Sequence, residues 1–447
     1  MSNQLKQAND MQGVLSRCIE DAKQAGAREA AARGYRVREV SLEYRDGKVE
    51  KISEATRRGV GIELFVNDRY SVVSTSDLRP EALKQLITDS ITVAKTLAPD
   101  PYRALPDPAL YKGQSTADLK LEDSKYDAVT AENTQQYAKE LHDAARSARG
   151  NESILSVSSW AGSTLSENWL MTSNGFSGSS RGTSYSVGAQ VSAKDADGRR
   201  PEEYDYASSR FWAALPKARE IGRSAAERTL ARLGSQKSES SSMTVLVDNR
   251  SAGRLVSMVL APLQGSAIQQ KRSFLENKLG EQLFSPLLTL TDDPLIPEAF
   301  GSRTYDSEGI AAKARPIFDK GTLKSYYIDN YYGRKLQMSP TSGSTSNLSW
   351  KLGAKSQQQL LADMKNGLLV TGFIGGNANA GTGDFSLGLI GFRVRNGAIA
   401  EPVSEMNISG NNLEFWKQLT AVGSDPFAYS AMRTPSLLFA DVSVAGV

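Results

Sequence analysis

The chain has 447 residues, with 53 basic and 50 acidic side chains, a net charge of +3, one histidine (His142) and one cysteine (Cys18). Near-balanced charge without a long run of one sign argues against an electrostatic nucleic-acid platform. Histidine scarcity argues against imidazole general-base catalysis and most transition-metal catalysis by this chain alone, and a lone cysteine forbids an internal disulfide, which fits a reducing, cytoplasmic compartment.

Residues 1–7 lack the apolar core of a signal peptide, and no later run approaches the ~20 apolar residues that span a bilayer, so no membrane association is expected. The length leaves room for about two or three domains. An amphipathic helix is predicted over 9–26, with Cys18 beside Val14, Leu15 and Ile19 on its apolar face, a core position and not a nucleophile's. Four strand-like runs follow at 36–44, 48–52, 59–66 and 70–74, the first pair joined by an Asp46-Gly47 hairpin turn and the second by Asn67-Asp68-Arg69. A helix over 78–97 carries Leu83, Leu86, Ile87, Ile91 and Ala94 on one side, with Asp77 placed as N-cap.

A proline-rich connection over 98–108 precedes a second round of the same grammar. A helix is predicted near 130–149, in which His142 reads as a solvated surface residue. Strands are expected at 153–160, 163–172, 178–193 and 204–212, then a helix near 215–233. Helix, four strands, helix, twice over, predicts a duplicated α+β region spanning 1–234, with units at about 1–98 and 125–234. A polar linker leads into 243–447, where strand-like segments at 244–247, 287–291, 323–328, 367–374, 385–395 and 437–444 predict a β-rich, barrel-like or sandwich-like domain with a few inserted helices.

Few residues in this second half suggest chemistry. Asp306 and Glu308, followed by Gly309, form an acidic pair that could orient a catalytic group or bind a cation, although in isolation the segment reads as a turn. The glycine-rich stretch 372–384 lacks the Lys-Ser/Thr ending of a phosphate-binding loop and reads as a mobile loop between strands. Serine–lysine hydrolysis lacks a suitable motif, so no catalytic residue is assigned.

Val245 to Leu255 is a strand running into a helix. Together with Lys271 to Leu275, Asp292-Asp293-Pro294, Tyr305 to Gly309 and Gly321-Thr322-Leu323, and with Asp46-Gly47, Arg58 to Gly61 and Ser74 to Leu78 in the first half, it resembles the TldD/PmbA family over nearly the whole chain. The resemblance implies two paralogous subunits, TldD and TldE (also called PmbA), forming a cytoplasmic metalloprotease for small or unfolded peptides. The TldD type carries His-Glu, three further residues and His at the strand-to-helix position, and a later cysteine completes its metal site. Here Asn249 and Arg250 stand at the His-Glu positions and Arg254 at the second histidine, with no cysteine after residue 424.

Guanidinium groups repel a divalent cation, so no metal is expected in this chain. The pattern resembles the TldE type, with zinc expected in a TldD-type partner. By the same resemblance, 404–412, including Asn407, Gly410 and Asn411, lies near an inner chamber, where its amides and hydroxyls suit the capture of an extended peptide. The expected role is a non-catalytic, metal-free subunit that holds peptides in a heterodimer with the paralogue. The alternative is a homodimeric peptide-binding or regulatory protein, as the family's older label of gyrase modulator implies.

Overall fold

The computed structural model describes residues 10–446. Residues 1–7, read above for a leader, and Asn9 lie outside that range. The first unit runs α1 (Met11–Gln24), β1 (Glu29–Arg45), β2 (Lys48–Val66), β3 (Arg69–Thr75) and α2 (Pro80–Ala94). The second runs α3 (Ala131–Arg146), β4 (Ile154–Thr172), β5 (Ser177–Ala193), β6 (Glu202–Ser209) and α4 (Ala218–Leu230).

Each unit is thus helix, three strands, helix. The runs expected at 48–52 and 59–66 are one strand, as are those at 153–160 and 163–172. The polar stretch between the first pair stays in register with β1, from Ser41 opposite Ser53 to Arg36 opposite Arg58. Cross-strand ion pairs Arg38–Glu54 at 2.8 Å and Arg57–Glu39 at 2.5 Å stand there in place of apolar alternation. The pattern vanishes from the sequence because the strand middles emerge from under the helices. On β4, an added Cβ at Gly162 would lie 2.8 Å from the Val40 carbonyl oxygen, so glycine keeps the ladder closed.

The two units share one six-stranded antiparallel sheet in the order β3-β2-β1-β4-β5-β6, joined where β1 pairs with β4 without a register shift. Alternation then fixes the faces. Ala30 and Ala32 pack with α1 and α2, and Leu42 and Tyr44, at the other end of β1 and of the same parity, pack with α3 and α4. All four helices therefore cover one face. Ala31 and Phe65 point the other way and meet Leu105 of the connection.

Two local expectations change. Helix α2 begins at Pro80 behind Arg79, and Asp77, expected as its N-cap, accepts instead from the Arg79 backbone N–H at 3.1 Å. His142 is buried, not solvated: it sits four residues after Ala138 and three before Ala145 on the inward stripe of α3, its ring edge-on to Tyr44 at 5.2 Å. The other buried positions of that stripe are Thr134, Ala138, Leu141 and Ala145, of which only Leu141 is large and apolar, so the stripe is weak in the sequence. Cys18 is fully buried, and burial holds its thiol up at about 12.

The second half adds β7 (Ser241–Val247), α5 (Gly253–Leu260), α6 (Gly265–Gln269), β8 (Leu290–Asp292), β9 (Arg315–Asp319), β10 (Thr322–Leu323), α7 (Asn330–Leu336), β11 (Leu348–Trp350), α8 (Gln357–Met364), β12 (Gly367–Ala378), β13 (Asp384–Arg395), β14 (Ala398–Asn411), α9 (Asn412–Phe415), β15 (Leu419–Val422) and β16 (Leu437–Ala445). Strands β14-β13-β12-β7-β16 close on themselves where Asn407 and Ile408 of β14 pair with Ala445 and Val444 of β16. The result is a five-stranded barrel, with β15 attached to β16. Closure leaves little open edge, and the interior is filled by Phe439 stacked on Phe415 at 4.4 Å and edge-on to Trp416. A four-stranded sheet, β10-β9-β8-β11, shares the same core. Among the described residues no helix is long and apolar enough to cross a membrane.

Candidate functional site

The sequence-derived site residues fall in three places. The first is the turn between β7 and α5. Asp248 is buried, its Oδ1 accepting from the Ser251 N–H at 2.7 Å, and burial pushes its carboxyl above the usual range. Asn249 donates its amide to the Asp425 carbonyl at 2.7 Å and accepts from Thr434 Oγ1 at 2.9 Å through its backbone oxygen, which ties the turn to the C-terminal tail.

Arg250 pairs with Asp205 of β6 and donates to the Tyr204 carbonyl at 3.1 Å, with Tyr204, Tyr206 and Phe427 around its guanidinium at 5.5, 5.7 and 5.8 Å. It locks the second unit to the barrel domain. Arg254 is exposed and has neither ion pair nor side-chain hydrogen bond among the described residues. This donor set does not fit a metal: one amide is committed to a carbonyl and two guanidiniums are cationic at working pH. No cluster of three or more His, Cys, Asp or Glu suited to a metal ion occurs among the described residues.

Arg250 and Arg254 border a cavity of about 670 Å³ between β6, α5, β12 and the 427–434 segment. Arg228, Arg232, Phe373, Ile374 and Met432 also line it. Strand β12 pairs with β7 only from Leu368 to Val370, and residues 371–376, which line the cavity, have β13 on one side and no strand on the other among the described residues. The ladder to β13 itself is interrupted between Ile374 and Asn377, where Gly375 and Gly376 adopt φ of +66° and +90°. Half of the glycine-rich stretch expected to be a loop is therefore strand, and only 379–383 turns. Of these extra lining residues, Phe373 and Ile374 belong to the glycine-rich stretch singled out in the sequence; Arg228, Arg232 and Met432 belong to no motif. The other sequence signals are the Tyr204–Tyr206 alternation and the i, i+4 arginines 228 and 232.

The second place is the turn at 306–310. Asp306 is buried, and its Oδ1 accepts from the Glu308 and Ile310 N–H groups at 2.9 and 3.0 Å, so the pair does form the turn that its composition suggests. Burial pushes Asp306 up while those N–H groups oppose the shift. Glu308 Oε2 accepts from the Asn330 N–H at the start of α7 at 2.9 Å. Burial raises Glu308 to about 7, with Asp306, Asp329 and Glu63 adding negative charge and the Asn330 N–H pulling down. Its carboxyl borders a pocket of about 40 Å³ with Glu63, Tyr70 and Arg103, where Arg33 holds Glu63 at 2.6 Å. Gly309 has φ +85°, and a Cβ there would lie 2.8 Å from the Phe176 ring.

The third place is β14. Asn407 is exposed opposite Gly388 and Ala445 where the barrel closes, and Gly410 is exposed opposite Phe385. Asn411 caps α9 and pins the 379–383 turn by donating to the Thr382 carbonyl at 2.8 Å and Asp384 Oδ1 at 2.9 Å. Asn407 and Ile374 flank Gly388 on either side, so the third place adjoins the cavity wall of the first, whereas Glu308 borders a separate pocket. Of the sequence-derived site residues, only Arg250 and Arg254 border a cavity large enough for a peptide segment.

The fold and the site together define a scaffold of two duplicated α+β units on a small barrel, with an amide and two cations, and no metal ligand set, at the strand-to-helix turn. The PmbA/TldA metallopeptidase domain 1, central domain and C-terminal domain match residues 30–94, 124–233 and 240–446, and the chain belongs to this PmbA/TldD family. It is 28% identical over 412 residues to the metalloprotease PmbA of Escherichia coli O157:H7, covering 91% of this chain and 90% of that relative. The crystal structure of a protein from Bacteroides thetaiotaomicron, described as a modulator of DNA gyrase, superposes with a TM-score of 0.94 at 38% identity, covering 98% of this chain and 99% of that one. TldE from Thermococcus kodakarensis shares the fold, with a TM-score of 0.86 at 19% identity over 97% of this chain and 100% of its own.

Proposed function

We propose that this chain is the non-catalytic, metal-free subunit of a two-subunit TldD/TldE-type peptidase in the cytoplasm, holding a small or unfolded peptide while a TldD-type paralogue supplies zinc and the activated water. What supports this reading is the β7–α5 turn, where Asn249, Arg250 and Arg254 offer no metal ligand set, together with the nearby edge of β12, unpaired among the described residues. A free strand edge can hold an extended peptide through its main chain without reading its sequence. The test is zinc content and peptide cleavage for this chain alone, for the histidine-bearing paralogue alone and for the mixture. Cleavage only in the mixture, at one zinc per pair, is expected; equal cleavage by the paralogue alone would overturn the reading.

A second reading, a homodimeric peptide-binding or regulatory protein without protease activity, draws on the gyrase-modulator description of the Bacteroides relative. Near-balanced charge disfavours direct DNA contact as its mode. A stable homodimer whose peptide affinity is unchanged by the paralogue would favour it.

A further inference from the structure

The cavity beside the β7–α5 turn holds one guanidinium that no carboxylate pairs with among the described residues. Four guanidiniums, from Arg228, Arg232, Arg250 and Arg254, line or enter it. Arg250 is satisfied by Asp205. Glu203 serves two of the others, Arg232 at 3.1 Å and Arg228 at 3.9 Å, and the Nε of Arg228 remains buried without a hydrogen-bond partner. Glu202, also in the lining, accepts from the neutral Gln190 amide at 3.1 Å and keeps its negative charge. Arg254 has no partner among the described residues.

Apolar surface in the same cavity is equally unspent. Ile374 is 47% exposed and Tyr204 48%, and Phe373, Phe427 and Met432 complete the wall. A volume of about 670 Å³ suits one short segment, within the ~300–1,000 Å³ range of small-ligand sites. An unpaired guanidinium, an apolar wall and a strand edge open among the described residues, all in one place, call for a ligand with a carboxylate, apolar side chains and a free main chain.

Resting on the peptide-holding reading above, we propose that this cavity anchors the C-terminal carboxylate of an apolar peptide on Arg254, with the preceding residues lying along β12 at 371–376. A guanidinium receives a carboxylate through two parallel N–H donors, which fixes the end of the chain and hence its direction. Arg254 is thereby a docking point for the carboxyl end of a peptide.

The test uses this chain alone and an N-terminally labelled apolar pentapeptide in three forms: free acid, C-terminal amide, and amide with one internal glutamate. Fluorescence anisotropy should show the free acid binding about tenfold more tightly than the plain amide, a preference that shrinks as salt is raised. Arg254→Gln should abolish the preference while leaving amide binding unchanged; Arg254 is exposed and unpartnered, so the variant should melt with the wild type. Equal binding of acid and amide, no binding of either, or a preference that survives Arg254→Gln overturns the proposal. Equal binding of the glutamate-bearing amide overturns the terminal assignment. No paralogue is present, so a failed mixing experiment beside an intact acid preference would refute the protease-subunit role and not the anchor, and the reverse pattern would refute the anchor alone.

Discussion

Replacing Glu308 by Gln keeps an oxygen to accept from the Asn330 N–H and removes the charge. In the folded chain this carboxyl is raised to about 7, first by burial, against an ordinary value of 4.5. Between those values the folded state binds more protons than the unfolded state, so this group's contribution is fully present below about pH 4.5 and is lost as pH rises through 7. At about 1.4 kcal/mol per tenfold, the full penalty at alkaline pH is about 3 kcal/mol; partial solvent access at the turn reduces it to about 1–3. Glu308→Gln and wild type should therefore melt together near pH 5, and the variant should lead by about 1–3 °C at pH 8, given an unfolding entropy of about 1 kcal/mol per degree for a chain of this size. Thermal midpoints across pH 5–8.5 measure this. Parallel profiles, offset or not, refute the argument, because a constant offset reports a packing change and not proton linkage.

Arg250→Ala strands the mostly buried Asp205 carboxylate and empties a ring of three aromatic side chains, which should cost about 3 kcal/mol, and a double-mutant cycle with Asp205→Asn should return about 1.5–3 kcal/mol of coupling. Coupling within 0.5 kcal/mol of zero, on a scale where exposed pairs give ~0.2–1, would remove Arg250 from the role of interdomain clamp. Gly309→Ala combines a left-handed backbone with a Cβ 2.8 Å from the Phe176 ring, and should destabilise by about 2–4 kcal/mol, checked by the thermal midpoint. An unchanged midpoint would mean that the 306–310 turn relaxes freely and does not fix Glu308.

What the sequence settles by itself is local or categorical. Period-two alternation and the Asp46-Gly47 turn announce the β1–β2 hairpin because a two-residue turn ties neighbouring segments whatever the rest of the chain does. The absence of histidine and cysteine around 249–254 is likewise a matter of composition, since no folding can turn guanidiniums into metal ligands. Pairings between distant residues are the part that only the tertiary structure decides. That β1 lies against β4, that β14 meets β16 to close a barrel, and that Asp205 neutralises Arg250 from 45 residues away leave no periodic trace, because each partner obeys its own local pattern. The same cause hid the burial of His142 on a weakly apolar stripe and the continuity of β2 through its charged middle. It also explains why Arg254 looked like a lost ligand and only the fold showed it to be the one guanidinium of its cavity without a partner among the described residues.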